Sequence, residues 1–184
     1  MRIAALFCFL HEIGAFRFGR LKGSRSEFTG RFLVSITMTN IRPFNCDDLF
    51  TYGNVNLDPL TETYGLFFYL QYLTQWPEYF QVVESPDKQI VGYIMGKSEG
   101  LGDNWHGHVT ALSIDYLYRR LNLAAKLMKG LEQVSIDKDC FFVDLFVRVS
   151  NKIAVEMYGK LDYSVYRKVL EYYMSPDEDA YDMR

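Results

Sequence analysis

The sequence has few cysteines for its 184 residues, and the three it has, Cys8, Cys46 and Cys140, lie far apart. An odd and dispersed set indicates neither a disulfide framework nor a cysteine-based zinc site. It is typical of a protein kept in a reducing compartment. We therefore expect the chain to be cytoplasmic.

A long apolar run and a strong excess of one charge are also missing. The apolar run at residues 3–10 is much shorter than the ~20 residues that a membrane-spanning helix needs, so we expect no membrane segment. The net charge is −3, from 20 Lys/Arg and 23 Asp/Glu. That balance gives no reason to expect DNA among the partners.

The composition divides the chain into three parts. Residues 1–37 form an atypical basic leader, with six Lys/Arg against two Glu. This leader is either a targeting or signal peptide or an upstream segment outside the fold, and its glutamates and lack of a clear cleavage site favour the second interpretation. We expect residues 38–174 to form one domain and residues 175–184 to form a mobile acidic tail.

Aromatic residues are abundant, at 16% of the chain, and 49% of the chain is hydrophobic. Such a content is typical of a folded globular protein. The hydrophobic pattern predicts a strand, two helices, three strands, a helix, a strand, a helix and a strand. The second helix is aromatic and covers residues 66–74, and the fourth strand covers residues 106–114. This order predicts an α/β fold.

A turn after the fourth strand has the features of a phosphate site. It leads into a helix in which Leu123, Leu127 and Leu131 recur at helical spacing. A strand, a tight turn and a helix start present backbone N–H groups to an anion. Arg119 and Arg120 add positive charge beside that helix start. These residues alone leave a second interpretation open, in which the arginines only keep a strand–helix junction soluble.

A second helix start carries a possible proton donor. Asn151 begins a short helix, and Tyr158 follows seven positions later, two turns along the same face. A phenol on a fixed helix can protonate a leaving group. The alternative is that Tyr158 only packs in the core.

Two histidines, His106 and His108, lie two positions apart and share one face of the predicted fourth strand. A metal site would need a third ligand, and none is obvious nearby in the sequence. We therefore predict no metal site from the sequence.

The turn at Arg119, Asn122 and Ala124 resembles the Arg/Gln-x-x-Gly-x-Gly/Ala turn of GCN5-related N-acetyltransferases. Asn122 takes the place of the glycine, and Asn is the non-glycine residue that best tolerates positive φ. Asp162 replaces a second family glycine. Longer stretches resemble the catalytic subunits of NatB-type N-terminal acetyltransferases: residues 57–65, 76–80, 105–113, 142–151, 172–173 and 177–184.

The resemblance implies the GCN5-related N-acetyltransferase fold, a mixed central β-sheet flanked by helices, with acetyl-CoA as co-substrate. It implies acetylation of nascent chains that begin Met-Asp, Met-Glu, Met-Asn or Met-Gln. The implied partners are a large helical-repeat auxiliary subunit, nascent peptide N-termini and the ribosome. The two replaced glycines leave an alternative, a divergent copy with weak or no activity that acts as a binding module for the auxiliary subunit.

The resemblance also implies roles for individual residues. Tyr158 is the expected general acid, and a water near His108 is expected to take the amine proton. The expected cofactor-binding residues are Leu112, Ile114, Arg119, Arg120, Asn122, Leu123, Ala124, Ala125 and Asn151. The expected substrate-binding residues are Glu62, Tyr64, His108, Thr110, Tyr172 and Tyr173.

Overall fold

A computed structural model describes residues 39–184, so the predicted leader lies outside the described residues. The strands are β1 (Asn40–Pro43), β2 (Gln81–Glu84), β3 (Ile90–Glu99), β4 (His106–Ile114), β5 (Phe142–Arg148), β6 (Val165–Met174) and β7 (Asp177–Met183). The helices are α1 (Leu66–Gln75), α2 (Leu123–Asp137) and α3 (Lys152–Gly159). None of these helices is long and apolar enough to cross a bilayer.

The seven strands form one sheet in the order β1-β2-β3-β4-β5-β7-β6. The pair β4–β5 is parallel, and the other neighbouring pairs are antiparallel. A parallel pair needs a crossover, and α2 supplies it. The predicted α/β class with a mixed sheet flanked by helices is therefore confirmed.

Two apolar clusters hold the helices against the sheet. Leu123, Leu127 and Leu131 of α2 are buried in the first cluster, as their spacing predicts. The aromatic helix α1 packs in the second cluster, where the rings of Phe44 and Phe80 stack with centroids 3.9 Å apart. Aromatic side chains thus make up much of this second core.

The helix predicted before α1 is instead a pair of short 3-10 segments, Cys46–Phe50 and Tyr52–Leu57. Gly53 and Asn56 are poor formers of α-helix. A capping box still begins the first segment, because the Asp48 carboxylate accepts a hydrogen bond from the Asn45 N–H at 2.8 Å.

The strands β4 and β5 separate partway along their length. Their pairing runs from His106 opposite Phe142 to Val109 opposite Leu145 and goes no further. From Leu145 onward the opposite edge of β5 pairs with β7. The rest of β4, to Ile114, remains paired with β3 on one side only. A wedge therefore opens between the carboxyl ends of two neighbouring parallel strands.

The expectation of a mobile acidic tail at residues 175–184 is wrong. Residues Asp177–Met183 form β7, which lies between β5 and β6 in the sheet. Ala180 and Asp182 are fully buried. The Asp182 carboxylate accepts hydrogen bonds from Arg167 at 2.9 Å and from Arg184 at 3.3 Å. The acidic composition suggested a solvated tail, but these arginines compensate a buried carboxylate.

We predict that Ala180→Asp destabilises the protein by about 3 kcal/mol or more, because it places an unpaired charge in the sheet. Met174→Asp is the matched control, since the Met174 side chain is 87% exposed. Chemical denaturation measures the free energy of unfolding of both variants. Equal stabilities of the two variants would contradict the placement of β7 and restore the mobile tail.

Candidate active site

Two helices begin at the open end of the wedge. Helix α2 starts shortly after β4 ends, and α3 starts shortly after β5 ends. The first intrahelical bond of α2 joins the Lys126 N–H to the Asn122 carbonyl at 3.2 Å, and no side chain within residues 39–184 caps this end. The N–H groups of Leu123, Ala124 and Ala125 therefore have no acceptor within the helix. Such an end favours an anion.

The turn before α2 depends on left-handed backbone conformations. Asn122 has φ +62° and Arg120 has φ +63°. Asp162, after α3, has φ +70°. Asn and Asp visit this region at lower cost than other residues with side chains. The expectation that Asn122 preserves the turn is confirmed, and Asp162 likewise occupies a position that suits glycine.

The Arg119 side chain binds to other groups of the protein. Its guanidinium forms an ion pair with Asp58 and donates to the Ile114 carbonyl at 3.0 Å. The hydrogen bond from Arg119 lowers the pKa of Asp58. Arg119 thus links the loop at residue 58 to the end of β4, although its side chain is exposed, as is that of the neighbouring Arg120.

A cavity of about 510 Å³ lies against this junction. Its lining includes Leu57, Pro59, Ile114 and Tyr116. The side chains of Leu123 and Ile114 are buried, and that of Leu112 packs against the first cluster, so these predicted cofactor residues offer their backbone groups rather than their side chains.

Tyr158 lies on α3 and is 7% exposed. Burial raises the pKa of its phenol, so the group keeps its proton at neutral pH. No described residue forms a hydrogen bond to its hydroxyl. Its ring meets that of Tyr163 edge to face, with centroids 6.1 Å apart. A protonated phenol with no protein acceptor is suited to donate to a bound group.

Asn151 caps the helix that carries Tyr158. Its side-chain oxygen accepts a hydrogen bond from the Ala154 N–H at 3.2 Å. This confirms the predicted cap, and it leaves the side-chain amide N–H₂ of Asn151 as the group that can still donate to a cofactor.

On the other side of the wedge, the buried Arg148 connects the loop at Glu62 with the start of β7. Arg148 donates to Glu62 at 2.6 Å and to Glu178 at 3.3 Å. Its guanidinium also lies 4.0 Å from the ring centroid of Tyr173. Burial acts to lower the pKa of Arg148, but hydrogen bonds to the two glutamates outweigh it and raise the pKa. Glu62 and Tyr173, which are remote in sequence, are thereby brought together.

The remaining predicted substrate residues continue this surface. His108 Nδ1 lies 2.7 Å from an Asp144 oxygen. The ring of Tyr172 stacks on Phe146 with centroids 4.6 Å apart, and Phe146 in turn contacts His108. The Tyr64 hydroxyl lies 3.5 Å from the carbonyl oxygen of Thr110, which it faces as a donor.

The phenols of this surface all keep their protons at neutral pH. Burial raises the pKa of Tyr64, Tyr172 and Tyr173. The structure therefore gathers carboxylate, imidazole and neutral phenol groups on one lining, which suits recognition of a polar peptide backbone.

Sequence reasoning missed Arg148 and Asp144. Both interrupt an otherwise apolar strand, and both are buried, with exposures of 5% and 4%. A charged residue in a buried strand is rarely without a partner, which is the signal that could have identified them. Their partners come from distant elements and could not be read locally.

The sequence also gave no third ligand to accompany His106 and His108. In the structure Glu99 supplies one, since the three side chains place ligand atoms within 4.8 Å of one another. This cluster could therefore hold a metal ion.

We predict that Asn122→Gly leaves stability unchanged or slightly higher, whereas Asn122→Val costs about 1–2 kcal/mol because a β-branched residue resists positive φ. Lys129→Val, on the exposed side of α2, controls for the helix propensity of valine. Thermal unfolding compares the three. Equal losses for the two valine variants would show that the backbone of Asn122 is not constrained.

Comparison with known proteins agrees with this geometry. Residues 48–163 match the model of the acetyltransferase (GNAT) family. The chain is 56% identical over 149 residues to the N-terminal acetyltransferase B complex catalytic subunit NAA20 of Arabidopsis thaliana, covering 80% of this chain and 84% of that protein. A crystal structure of Chaetomium thermophilum Naa20 in complex with a bisubstrate analogue is similar, with a TM-score of 0.76 and 43% identity over 79% of this chain and 85% of that one.

A structure of the NatB acetyltransferase complex bound to CoA and MES is also similar. Its TM-score is 0.73 and its identity 45%, over 79% of this chain and 97% of that one. The family match and these identities support one assignment. The chain belongs to the acetyltransferase (GNAT) family.

Proposed function

We propose that this protein is the catalytic subunit of a NatB-type complex and transfers acetyl from acetyl-CoA to the α-amine of nascent chains. The observation that carries the proposal is the wedge between β4 and β5, with the uncapped start of α2 on one side and the peptide-binding surface on the other. The NatB catalytic subunit of Arabidopsis thaliana, at 56% identity, supports the same activity.

The backbone at the start of α2 holds the pyrophosphate of acetyl-CoA in this proposal. The free N–H groups of Leu123, Ala124 and Ala125 are the donors, and Asn122 directs the chain so that they converge. Arg120 supplies positive charge from the surface, while Arg119 supports the loop at Asp58. Acetyl-CoA supplies the thioester whose acetyl group is transferred.

Unpaired backbone groups of β4 extend the cofactor site. Beyond Val109 this strand has no pairing with β5. The main-chain groups of Leu112 and Ile114 can therefore form hydrogen bonds with the cofactor arm. The side-chain amide of Asn151 lies at the start of α3, on the opposite side of the wedge. The wedge thus provides donors and acceptors along its length.

Attack on the thioester requires a neutral amine. The pKa of a peptide α-amine is about 7.7–8.0, so only mild basic assistance is needed near neutral pH. A water at His108 accepts the proton in the proposal, and Asp144 holds that ring in place. Tyr158 then protonates the departing thiolate, a role that its retained proton permits.

The peptide surface fits the substrate class that begins Met-Asp, Met-Glu, Met-Asn or Met-Gln. All four second residues carry a carbonyl-type oxygen, which the phenol of Tyr172 can bind as a donor. Glu62 and Tyr64 orient the backbone from the facing loop. Arg148 holds Glu62 at its place through the 2.6 Å ion pair.

An auxiliary subunit is the proposed stable partner, and the complex bound to CoA and MES supports it. Leu66 and Phe67, in the first turn of α1, are 57% and 81% exposed, and Phe50, in the 3-10 segment that contacts α1, is 83% exposed. Exposed apolar side chains grouped in this way suit a protein interface. A helical-repeat form of that subunit, and action at the ribosome, are further parts of the proposal.

The cytoplasm is the proposed location. Cys46 and Cys140 are both free cysteines, which suits a reducing compartment.

Tyr158→Phe tests the chemistry. We predict that it lowers kcat by about 100-fold or more with little change in KM for acetyl-CoA, because it removes the proton donor alone. Tyr163→Phe is the matched control, since it removes a neighbouring buried phenol that bonds to Glu132 at 3.0 Å. Steady-state acetyl transfer by the heterodimer measures both. An unchanged kcat for Tyr158→Phe would remove it as the general acid.

Phe67→Asp tests the interface. We predict at least a tenfold weaker heterodimer, because a charge would replace an apolar contact at the proposed interface. Leu101→Asp is the control, since its side chain is 89% exposed in the loop between β3 and β4. The affinity of each variant is measured from its binding to surface-immobilised auxiliary subunit. If Phe67→Asp binds as tightly as the control, the start of α1 lies outside the interface.

A further inference from the structure

A group of side chains of the metal-ligating types lies at the end of the sheet opposite the turn before α2. Sheet register brings it together: Glu99 of β3 pairs with His106 of β4, and His108 pairs with Asp144 of β5. His106 and His108 share a face because strand side chains alternate. Glu99, His106 and His108 place ligand atoms within 4.8 Å of one another.

Hydrogen bonds fix which nitrogen of each ring is free. His106 Nδ1 lies 2.6 Å from the Asn104 carbonyl oxygen, and a carbonyl can only accept, so Nδ1 carries the proton. His108 Nδ1 lies 2.7 Å from the Asp144 carboxylate, which places its proton on Nδ1 in the same way. Both rings therefore offer Nε2 to a ligand. Metal-binding histidines are typically held by such an acceptor on the other nitrogen.

The free nitrogen of His106 faces negative charge. Its Nε2 lies 3.5 Å from an Asp144 oxygen and 4.0 Å from a Glu99 oxygen. A lone pair directed at two carboxylates is unfavourable, and either a proton on Nε2 or a metal ion between the groups removes this repulsion. The ring is also fixed in position, because it stacks on Phe142 with centroids 4.8 Å apart and planes inclined by 3°.

The spacing suits a small ion. Ligands of one tetrahedral zinc, each about 2.1 Å from the metal, lie about 3.4 Å apart. His106 Nε2 lies 4.0 Å from a Glu99 oxygen, and the ligand atoms of Glu99, His106 and His108 all lie within 4.8 Å of one another, so small side-chain movements bring them to this spacing. Glu99 is the most exposed member, with 41% of its side chain accessible. Its Oε2 pairs with Lys97 at 2.5 Å, which leaves Oε1, the oxygen nearer His106, for an ion.

We propose that Glu99, His106 and His108 bind one divalent transition-metal ion of the zinc class, with Asp144 orienting His108. Two imidazoles with a carboxylate favour zinc over magnesium or calcium, which prefer oxygen ligands throughout. Three protein ligands leave a fourth position for water. Since His108 also belongs to the peptide surface, metal binding couples to peptide binding, a consequence that rests on the proposed function.

Calorimetric titration of the full-length chain with zinc chloride tests the site without any acetyl transfer, so its outcome is separate from that of the proposed function. We expect one ion per chain. His106→Ala and Glu99→Gln should each weaken binding by at least about tenfold, the scale on which metal sites respond to such losses. Because Glu99 is partly exposed, Glu99→Gln is expected to fold normally. It keeps the test decisive if His106→Ala misfolds.

Two controls separate this site from the other possible ligands of the chain. A Cys8→Ser/His11→Ala double variant and Cys140→Ser should bind zinc as the unmodified protein does. Cobalt substitution adds a spectroscopic readout, since ligation by Glu and His gives d–d bands without thiolate charge-transfer absorption. Absence of saturable binding, thiolate absorption, or unchanged affinity in both His106→Ala and Glu99→Gln would overturn the proposal.

Discussion

The parallel pairing of β4 and β5 ends at Val109 and Leu145, and the site depends on this separation. Two strands that stayed paired would satisfy each other's backbone groups and leave no room between them. Strand β7 supports β5 from its opposite edge, where it pairs from Leu145 onward. Among the described residues, the facing edges of β4 and β5 have no partner strand beyond Val109 and Leu145, so their backbone groups can bind a ligand.

Buried charges keep the walls of the wedge in place. Arg148 links the loop at Glu62 to the start of β7 through Glu178. Asp144 holds the ring of His108. An unpaired charge at such depth would be costly, so each of these groups favours one arrangement of the elements it joins. The shape of the proposed peptide surface is therefore set by the packing of the sheet.

Local features could be predicted from the sequence and long-range ones could not. The spacing of Leu123, Leu127 and Leu131 predicted α2, and the backbone tolerance of Asn122 predicted its turn. Both depend on neighbours in sequence. The partners of Arg148 depend on where the sheet brings distant segments together. The strand Asp177–Met183 was mistaken for a tail because its acidic residues are neutralised by arginines outside it or at its end.

Acetyl transfer from labelled acetyl-CoA to a Met-Asp peptide, with the auxiliary subunit present and a Ser-initiated peptide as control, tests the central claim most directly. The wedge, the turn at Asn122 and the proton on Tyr158 predict selective transfer to the Met-Asp peptide. No transfer by an intact heterodimer would contradict the account and would favour a binding module that has lost its activity.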